Sequence, residues 1–417
     1  MRRSLKSFLP VAALACVGVL VPATPSSAGG LLGGLTKALA PRNEVAIDLA
    51  SDDLASTLGG VLKTLGWGIT RRAGGPRPLY VARPSGLLAA AQSTVLSVLA
   101  TVPGVRAAEE NALFLVDRKY GGEQAQLPVL HDDLTVASVR TQPALDTVHA
   151  SGSSPAPGTG PIVAIVDGGF DLRHEFLRSA NVVPGADVRD VDDDPSDLGD
   201  GLDGDGDGIA DGGLGHGNAV AAIVAVVAPS ARILPIRALD DEGSGTIADL
   251  AAGVYTALDR GASVVNFSLG TERTSAILDD AIAFAYSRGV VVVAAAGNAG
   301  ESPVLYPASS GYAVGVVGIR NDGVKDADSN WGSAADLGAP SVDVVAPFPG
   351  TLDRYGTWHG TSFATPFFAA AIARTVAARN LSPMQASSFL RTSTRPYPYV
   401  APECRGGMGA GILDLAR

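Results

Sequence analysis

"PIVAIVDGG", Pro161 to Gly169, runs through five apolar residues, Ile162 to Val166, and stops on an aspartate and two glycines. Unbroken apolar character marks a strand buried on both faces, because a half-exposed strand would alternate. The glycines let the chain turn away at once. The same pattern recurs downstream. "ARILPIRAL", "ASVVNFSLG" and "VVVVAAAGN" are short apolar strands, while "NAVAAIVAVVA", "DLAAGVYTALDRG" and "AILDDAIAFAYSRG" carry helical spacing between them. Strands alternating with helices imply an α/β fold, a doubly wound and mostly parallel sheet flanked by helices.

Ahead of this unit, "EVAIDLA", "RPLYVAR" and "GVRAAEENALFLVD" read as strands. "DLASTLGGVLKTLGW" and "GLLAAAQSTVLSVLATVPGV" read as two helices between them, giving a small α+β domain. The first residues belong to neither unit: Arg2, Arg3 and Lys6 precede an apolar run from Phe8 to Val21, and Ser26-Ser27-Ala28 offers a small-residue cleavage site. That is the pattern of a secretory signal peptide, and the run is too short to span a bilayer. The Arg pair leaves a twin-arginine route open. The expected organisation is 1–28 signal peptide, 29–120 first unit and 121–417 second unit, with the product secreted.

The chain has 417 residues, 46% hydrophobic and 18% charged, with a formal net charge of -11. That balance suits a globular protein and disfavours nucleic acid or an anionic membrane as partner. No transmembrane span is expected, and nothing in the sequence suggests an oligomer, so a monomer is expected. Removal of the signal peptide takes Cys16 with it and leaves Cys404, so no internal disulfide can form.

In open α/β sheets functional groups gather at the carboxyl ends of the strands. Asp167 ends the first strand, Asn298 closes "VVVVAAAGN", His216 begins an apolar helix after Gly215, and Ser362 in "HGTSFATP" stands at a helix start. Alone, each has a plain structural reading as a turn residue or helix cap. Together, in the order Asp, His, Asn, Ser, they resemble the subtilisin-like serine proteases. "VAIVDGG", "GHGNAVA", "AAAGN" and "GTSFATP" are similar to four ordered motifs of that family, and the likeness runs from Gly121 to Arg417. The first unit, ending "PGVRAAEEN", resembles the family's inhibitory propeptides.

The resemblance implies a subtilisin-like fold and a serine endopeptidase acting on peptide or protein substrates. Ser362 would be the nucleophile, His216 the general base, Asp167 its orienting carboxylate and Asn298 an oxyanion donor. It implies two substrate-pairing segments, Gly243-Ser244-Gly245 and Ser268-Leu269-Gly270, and an S1 pocket walled by Ala296-Gly297 with Tyr306-Pro307-Ala308, suited to apolar P1 residues. The propeptide would be an intramolecular inhibitor, cut off near Tyr120. Three positions depart from the family: Gly168 stands where Ser or Thr is usual and removes a hydroxyl that could bond the Asp167 carboxylate, Asn218 replaces Thr, and Phe363 replaces Met. A catalytically weak or inactive peptide-binding module on the same fold is the competing reading.

Acidity is concentrated between Asp187 and Asp211, which hold eleven aspartates with Arg189 as the sole base. Within that stretch Asp203, Asp205, Asp207 and Asp211 take positions 1, 3, 5 and 9 of a calcium loop with Gly208 at the turn. Position 12 is Leu214 rather than Glu. Structural calcium is therefore expected, with other carboxylates from Asp190 to Asp200 completing its shell.

Overall fold

The computed structural model describes residues 43–73, 77–86, 88–115, 128–150, 158–196, 198–206, 208–350 and 353–416. The expected signal peptide, the cleavage region near Tyr120 and Asp207 lie outside the described residues.

The first unit runs β1 (Val45–Leu49), α1 (Ala55–Thr64), β2 (Trp67–Arg72), β3 (Leu79–Pro84), α2 (Gln92–Leu99) and β4 (Val105–Glu110). Its strands lie in the order β2-β3-β1-β4, a ferredoxin-like arrangement. Alternation along β1 sorts the side chains: Val45, Ile47 and Leu49 pack with Leu58, Leu62, Val95 and Leu99 of the unit's own helices. Ala46 points the other way, into the core shared with the second unit. The second helix is shorter than its apolar sequence predicts. Its first turns are not helical because Ala90 N–H donates to Leu65 O at 2.8 Å and Ala90 O accepts the Trp67 indole at 2.8 Å. Those bonds tie the segment to the adjoining chain instead of to itself.

"GVRAAEENALFLVD" divides as well. β4 ends at Glu110, and β5 (Leu113–Leu115) leaves the first sheet to pair elsewhere.

The second unit is built on seven strands in the order β14-β13-β12-β11-β7-β9-β8, all parallel. These are β7 (Ile162–Asp167), β8 (Ala186–Asp187), β9 (Arg232–Arg237), β11 (Ala262–Phe267), β12 (Val291–Ala295), β13 (Ala313–Ile319) and β14 (Ala335–Pro340). Every residue of β7 and β12 is buried, which is why those strands are unbroken apolar runs. Helices cover both faces. Counting helices of eight residues or more, α3 (His216–Val227), α6 (Thr361–Arg379) and α7 (Pro383–Thr392) pack on one side, and α4 (Ile247–Asp259) and α5 (Ala276–Ser287) on the other. β6 (Val129–His131), β15 (Val344–Phe348) and β16 (Arg354–Trp358) form a separate antiparallel sheet, and β10 (Ser244–Thr246) pairs with β5. No helix among the described residues is long and apolar enough to cross a membrane.

The first unit sits on the face formed by α4 and α5. Asn111 Oδ1 accepts from Ala248 N at 3.1 Å and Ala112 O from Ile247 N at 3.0 Å, capping α4. Glu109 accepts from Ala276 N at 3.1 Å, from Ile277 N at 3.0 Å and from the Ser275 hydroxyl, capping α5. A carboxylate at a helix start meets unpaired N–H groups and the positive end of the dipole.

Candidate active site

Asp167 is the last residue of β7 and is completely buried. Its Oδ1 accepts from Gly168 N at 2.7 Å and lies 2.7 Å from His216 Nδ1. A carboxylate can only accept, so the proton of a neutral imidazole sits on Nδ1 and leaves Nε2 as the basic nitrogen. Oδ2 of Asp167 is buried without a hydrogen-bond partner. The hydroxyl that a serine at 168 would offer is missing at this place.

His216 opens α3 because Gly215 precedes it with φ 85°, a left-handed conformation that side chains resist. A Cβ at Gly215 would also stand 2.5 Å from Pro349 Cδ. The imidazole packs on the Phe363 ring at 5.3 Å between centroids, and Phe363 packs on Trp358 at 5.1 Å. The residue after Ser362 therefore braces His216. Asn218, buried on the same helix, clasps the backbone of Asp171: its Oδ1 accepts from Asp171 N at 2.8 Å and its Nδ2 donates to Asp171 O at 3.2 Å.

Ser362 lies in the first turn of α6, where its Oγ donates to Ser268 O at 2.9 Å. Pro366, four residues on, has no N–H to give the Ser362 carbonyl. The Ser268 hydroxyl takes that role, donating to Ser362 O at 2.6 Å and itself receiving Asn266 Nδ2 at 2.8 Å. A proline in "GTSFATP" thus creates the acceptor that fastens the segment after β11 to Ser362.

Asn298 Oδ1 accepts from Thr361 N at 2.8 Å and from Thr361 Oγ1 at 2.9 Å. A backbone N–H can only donate, so the amide orientation is fixed and Nδ2 is left to donate. Gly297 carries the turn with φ 107°, and its N–H donates to Thr361 Oγ1 at 3.1 Å. Sequence reading made Thr361 a helix cap; the structure makes Gly360 the cap and Thr361 a positioning residue, beside Ser362 with its hydroxyl aimed at Asn298.

Of the two expected substrate segments, Ser244 and Gly245 lie in β10, immediately after Gly243. They are already paired antiparallel with the first unit's tail: Ser244 opposes Leu115, Gly245 opposes Phe114 and Thr246 opposes Leu113. Ser268, Leu269 and Gly270 follow β11 and reach Ser362 through the paired hydroxyls described above. The residues expected to wall an S1 pocket lie close together. Tyr306 and Ala308 are buried, and burial raises the Tyr306 phenol above its usual pKa, so it stays a neutral donor to Ser275 O at 3.2 Å. Half-buried Leu305 is the residue at the gap: its side chain comes within 2.7 Å of a Cβ built on Gly297 and 3.2 Å of one built on Gly270, and its N–H donates to Ala296 O at 2.9 Å. The missing side chains at 270 and 297 were the available signal.

The acidic loop gathers a different set of carboxylates from the one its spacing suggests. Asp200, Asp211 and Asp241 bring one oxygen each within 4.8 Å of the others. Of the expected ligands among the described residues, Asp203, Asp205 and Asp211, only Asp211 belongs to this group; Asp207 lies outside the described residues. Asp203 instead accepts from Gly206 N at 2.7 Å and Gly208 N at 2.9 Å, its loop having closed on itself. Glu242 accepts from Gly204 N at 2.6 Å and Gly212 N at 3.0 Å, pinning the loop beside β10. Three clustered carboxylates repel one another, and an all-oxygen set suits a hard divalent cation.

A buried parallel sheet with Asp167 and His216 in contact at its carboxyl edge, His216 against Phe363, and Asn298 bonded to the residue before Ser362 defines a class, and the model of the subtilase family, Peptidase S8, matches residues 158–411. The chain belongs to that family. It is similar to a thermophilic serine proteinase of Bacillus sp. (strain AK1), 37% identical over 221 residues that make up 51% of this chain and 51% of the relative. It is also similar to thermitase of Thermoactinomyces vulgaris, 37% identical over 224 residues, 51% of this chain and 74% of the relative. Subtilisin BL of Lederbergia lenta is 39% identical over 170 residues, 39% of this chain and 62% of the relative. The match thus spans about half the length of the first of these relatives.

Proposed function

We propose that the protein is a secreted serine endopeptidase made as a self-processing zymogen. The observation that carries this reading is the 2.7 Å contact between Asp167 Oδ1 and His216 Nδ1 in a chain of this family. Ser362 Oγ turns from the Ser268 carbonyl toward His216 and attacks the peptide carbonyl carbon as its proton passes to Nε2. Asp167 holds the imidazole and stabilises its cation. The oxyanion of the tetrahedral intermediate accepts from Asn298 Nδ2 and from Ser362 N–H; loss of such a side-chain donor costs about 10²–10³ in turnover, a magnitude established on a member of this same family. His216 then returns the proton to the leaving amine. Water, deprotonated by the same nitrogen, releases the acyl group and restores Ser362.

Peptide substrates add as a strand along β10 and the Ser268–Gly270 segment. Ala296, Gly297 and Leu305 offer no charge to the S1 pocket, so apolar or aromatic P1 residues are preferred. Residues 29–120 act as propeptide: the β5 tail occupies β10 in the manner of a substrate, and cleavage near Tyr120 opens the cleft. Calcium is a structural ion held by Asp200, Asp211 and Asp241; bound there, it would neutralise the acidic loop that leads into His216. The unsatisfied Asp167 Oδ2 favours one second reading, a subtilase fold of weak catalytic power. A fluorophosphonate probe separates the two: a stoichiometric mass gain on the processed protein, lost in Ser362→Ala, supports the protease, and failure to label folded, processed protein contradicts it.

A further inference from the structure

A second cluster lies on the carboxyl edge of the sheet, apart from the acidic loop. Asp326 follows β13 after a tight turn, Asp328 is two residues on, and His359 follows β16 and leads through Gly360 into α6. One ligand atom from each lies within 4.8 Å of the others. His359 Nε2 is 3.1 Å from Asp326 Oδ2 and 3.7 Å from Asp328 Oδ2.

We propose that Asp326, Asp328 and His359 form a binding site for a divalent transition-metal ion of the zinc type, three residues ahead of Ser362. Both contacts are ion-pair distances for a protonated imidazole, but 3.7 Å is beyond hydrogen-bond reach, so the ring proton serves one carboxylate whereas a metal ion in its place would serve both. Two carboxylate oxygens converging on one ring nitrogen is what a metal requires. Ligands bonded to a tetrahedral ion at about 2.0–2.1 Å stand about 3.3 Å apart, and the two observed separations bracket that value. The donor set chooses the ion. Calcium takes oxygen ligands, whereas imidazole with carboxylates suits zinc and its neighbours.

The surroundings are those of a supported site. Asp326 Oδ2 also accepts the Ser341 hydroxyl at 2.8 Å, from outside the cluster, and its Oδ1 accepts the backbone N–H of Asp328 at 3.2 Å, so its rotamer is held without an ion. Lys325 directs its ammonium to the backbone carbonyls of Asp326 and Ala327, at 2.8 and 3.3 Å, so two carboxylates against one lysine still favour a cation. The Asp326 side chain is 4% exposed, while His359 and Asp328 are 31% and 32% exposed, giving a buried anchor and an open approach. Gly360 N–H donates to Ser341 O at 2.8 Å, so an ion here joins the turn after β13 to the backbone that enters α6. Ser341 is a positioning residue in this arrangement.

The test uses the full chain carrying Ser362→Ala, to prevent self-digestion, with calcium in excess. Zinc chloride is titrated calorimetrically into this protein and into the same protein carrying His359→Gln or Asp328→Asn, each checked by near-UV circular dichroism. The expected result is one zinc ion per chain, with affinity reduced roughly tenfold or more in both variants. Cobalt(II) should give a tetrahedral visible spectrum that His359→Gln abolishes. Absence of zinc uptake by the parent overturns the proposal. So does an unchanged affinity in His359→Gln, which would place the ion elsewhere. If one variant misfolds, the other carries the same comparison.

Discussion

The departure from the family pattern that lies nearest the proposed chemistry is a residue with no side chain. Gly168 gives Asp167 a backbone N–H at 2.7 Å but leaves Oδ2 bare. A Cβ there would meet nothing closer than Asp240 O at 3.8 Å, and Gly168 is not among the positive-φ glycines. Gly168→Ser should therefore fit without strain and donate to Oδ2. A hydrogen bond to a charged group contributes about 1.5–3 kcal/mol; the variant should raise the melting temperature and increase kcat several-fold. A melting curve and a peptide-substrate assay check this, and a variant that is folded but no more stable or active contradicts it. The places of Asp167, His216, Asn298 and Ser362 at strand ends and helix starts were legible in the sequence, while their proposed roles came only from their order, which resembles the family's. The roles of Thr361 and Leu305 were not legible. Nothing about a threonine in sequence says which amide it bonds, and Leu305 gains meaning only when Gly270 and Gly297 are brought beside it.

Among elements, β5 is the one that decides the state of the cleft in the proposed zymogen. Sequence reading joined it to β4 as one strand, because the apolar pattern continues through "EENALFL". The break comes from tertiary bonding: Asn111 and Ala112 are taken up in capping α4, which redirects Leu113–Leu115 to β10. The buried strands of the large sheet were legible from their unbroken apolar runs, whereas strand order and this crossing depend on contacts between distant segments. Glu109 holds the same crossing at α5. Glu109→Ala removes a cap of about 1–2 kcal/mol, so the first unit should leave roughly five- to thirtyfold faster. The expected sign is a shorter lag between precursor cleavage and the onset of peptidase activity. An unchanged lag would mean that the caps do not hold the first unit in place.

For the whole molecule, charge and stability meet in the acidic loop. Its aspartates were legible as a metal signal, and Asp200 lies in the Asp190–Asp200 stretch expected to complete the shell, but Asp241 was not legible, since only folding brings it to Asp211. A calcium-selective chelator should lower the melting temperature by several degrees, on the order of 5 °C for a domain of this size. Added calcium should restore it, and Asp241→Asn should blunt the response. A melting curve indifferent to the chelator contradicts calcium as a structural ion. The central claim, that Ser362 is a working nucleophile in a self-processing zymogen, is tested most directly by intact mass of the full precursor expressed beside Ser362→Ala. The account predicts that the parent loses its first unit, with a mass that names the bond, while the variant stays whole. Both chains remaining full length under folding conditions with calcium, or both being cut alike, would contradict it.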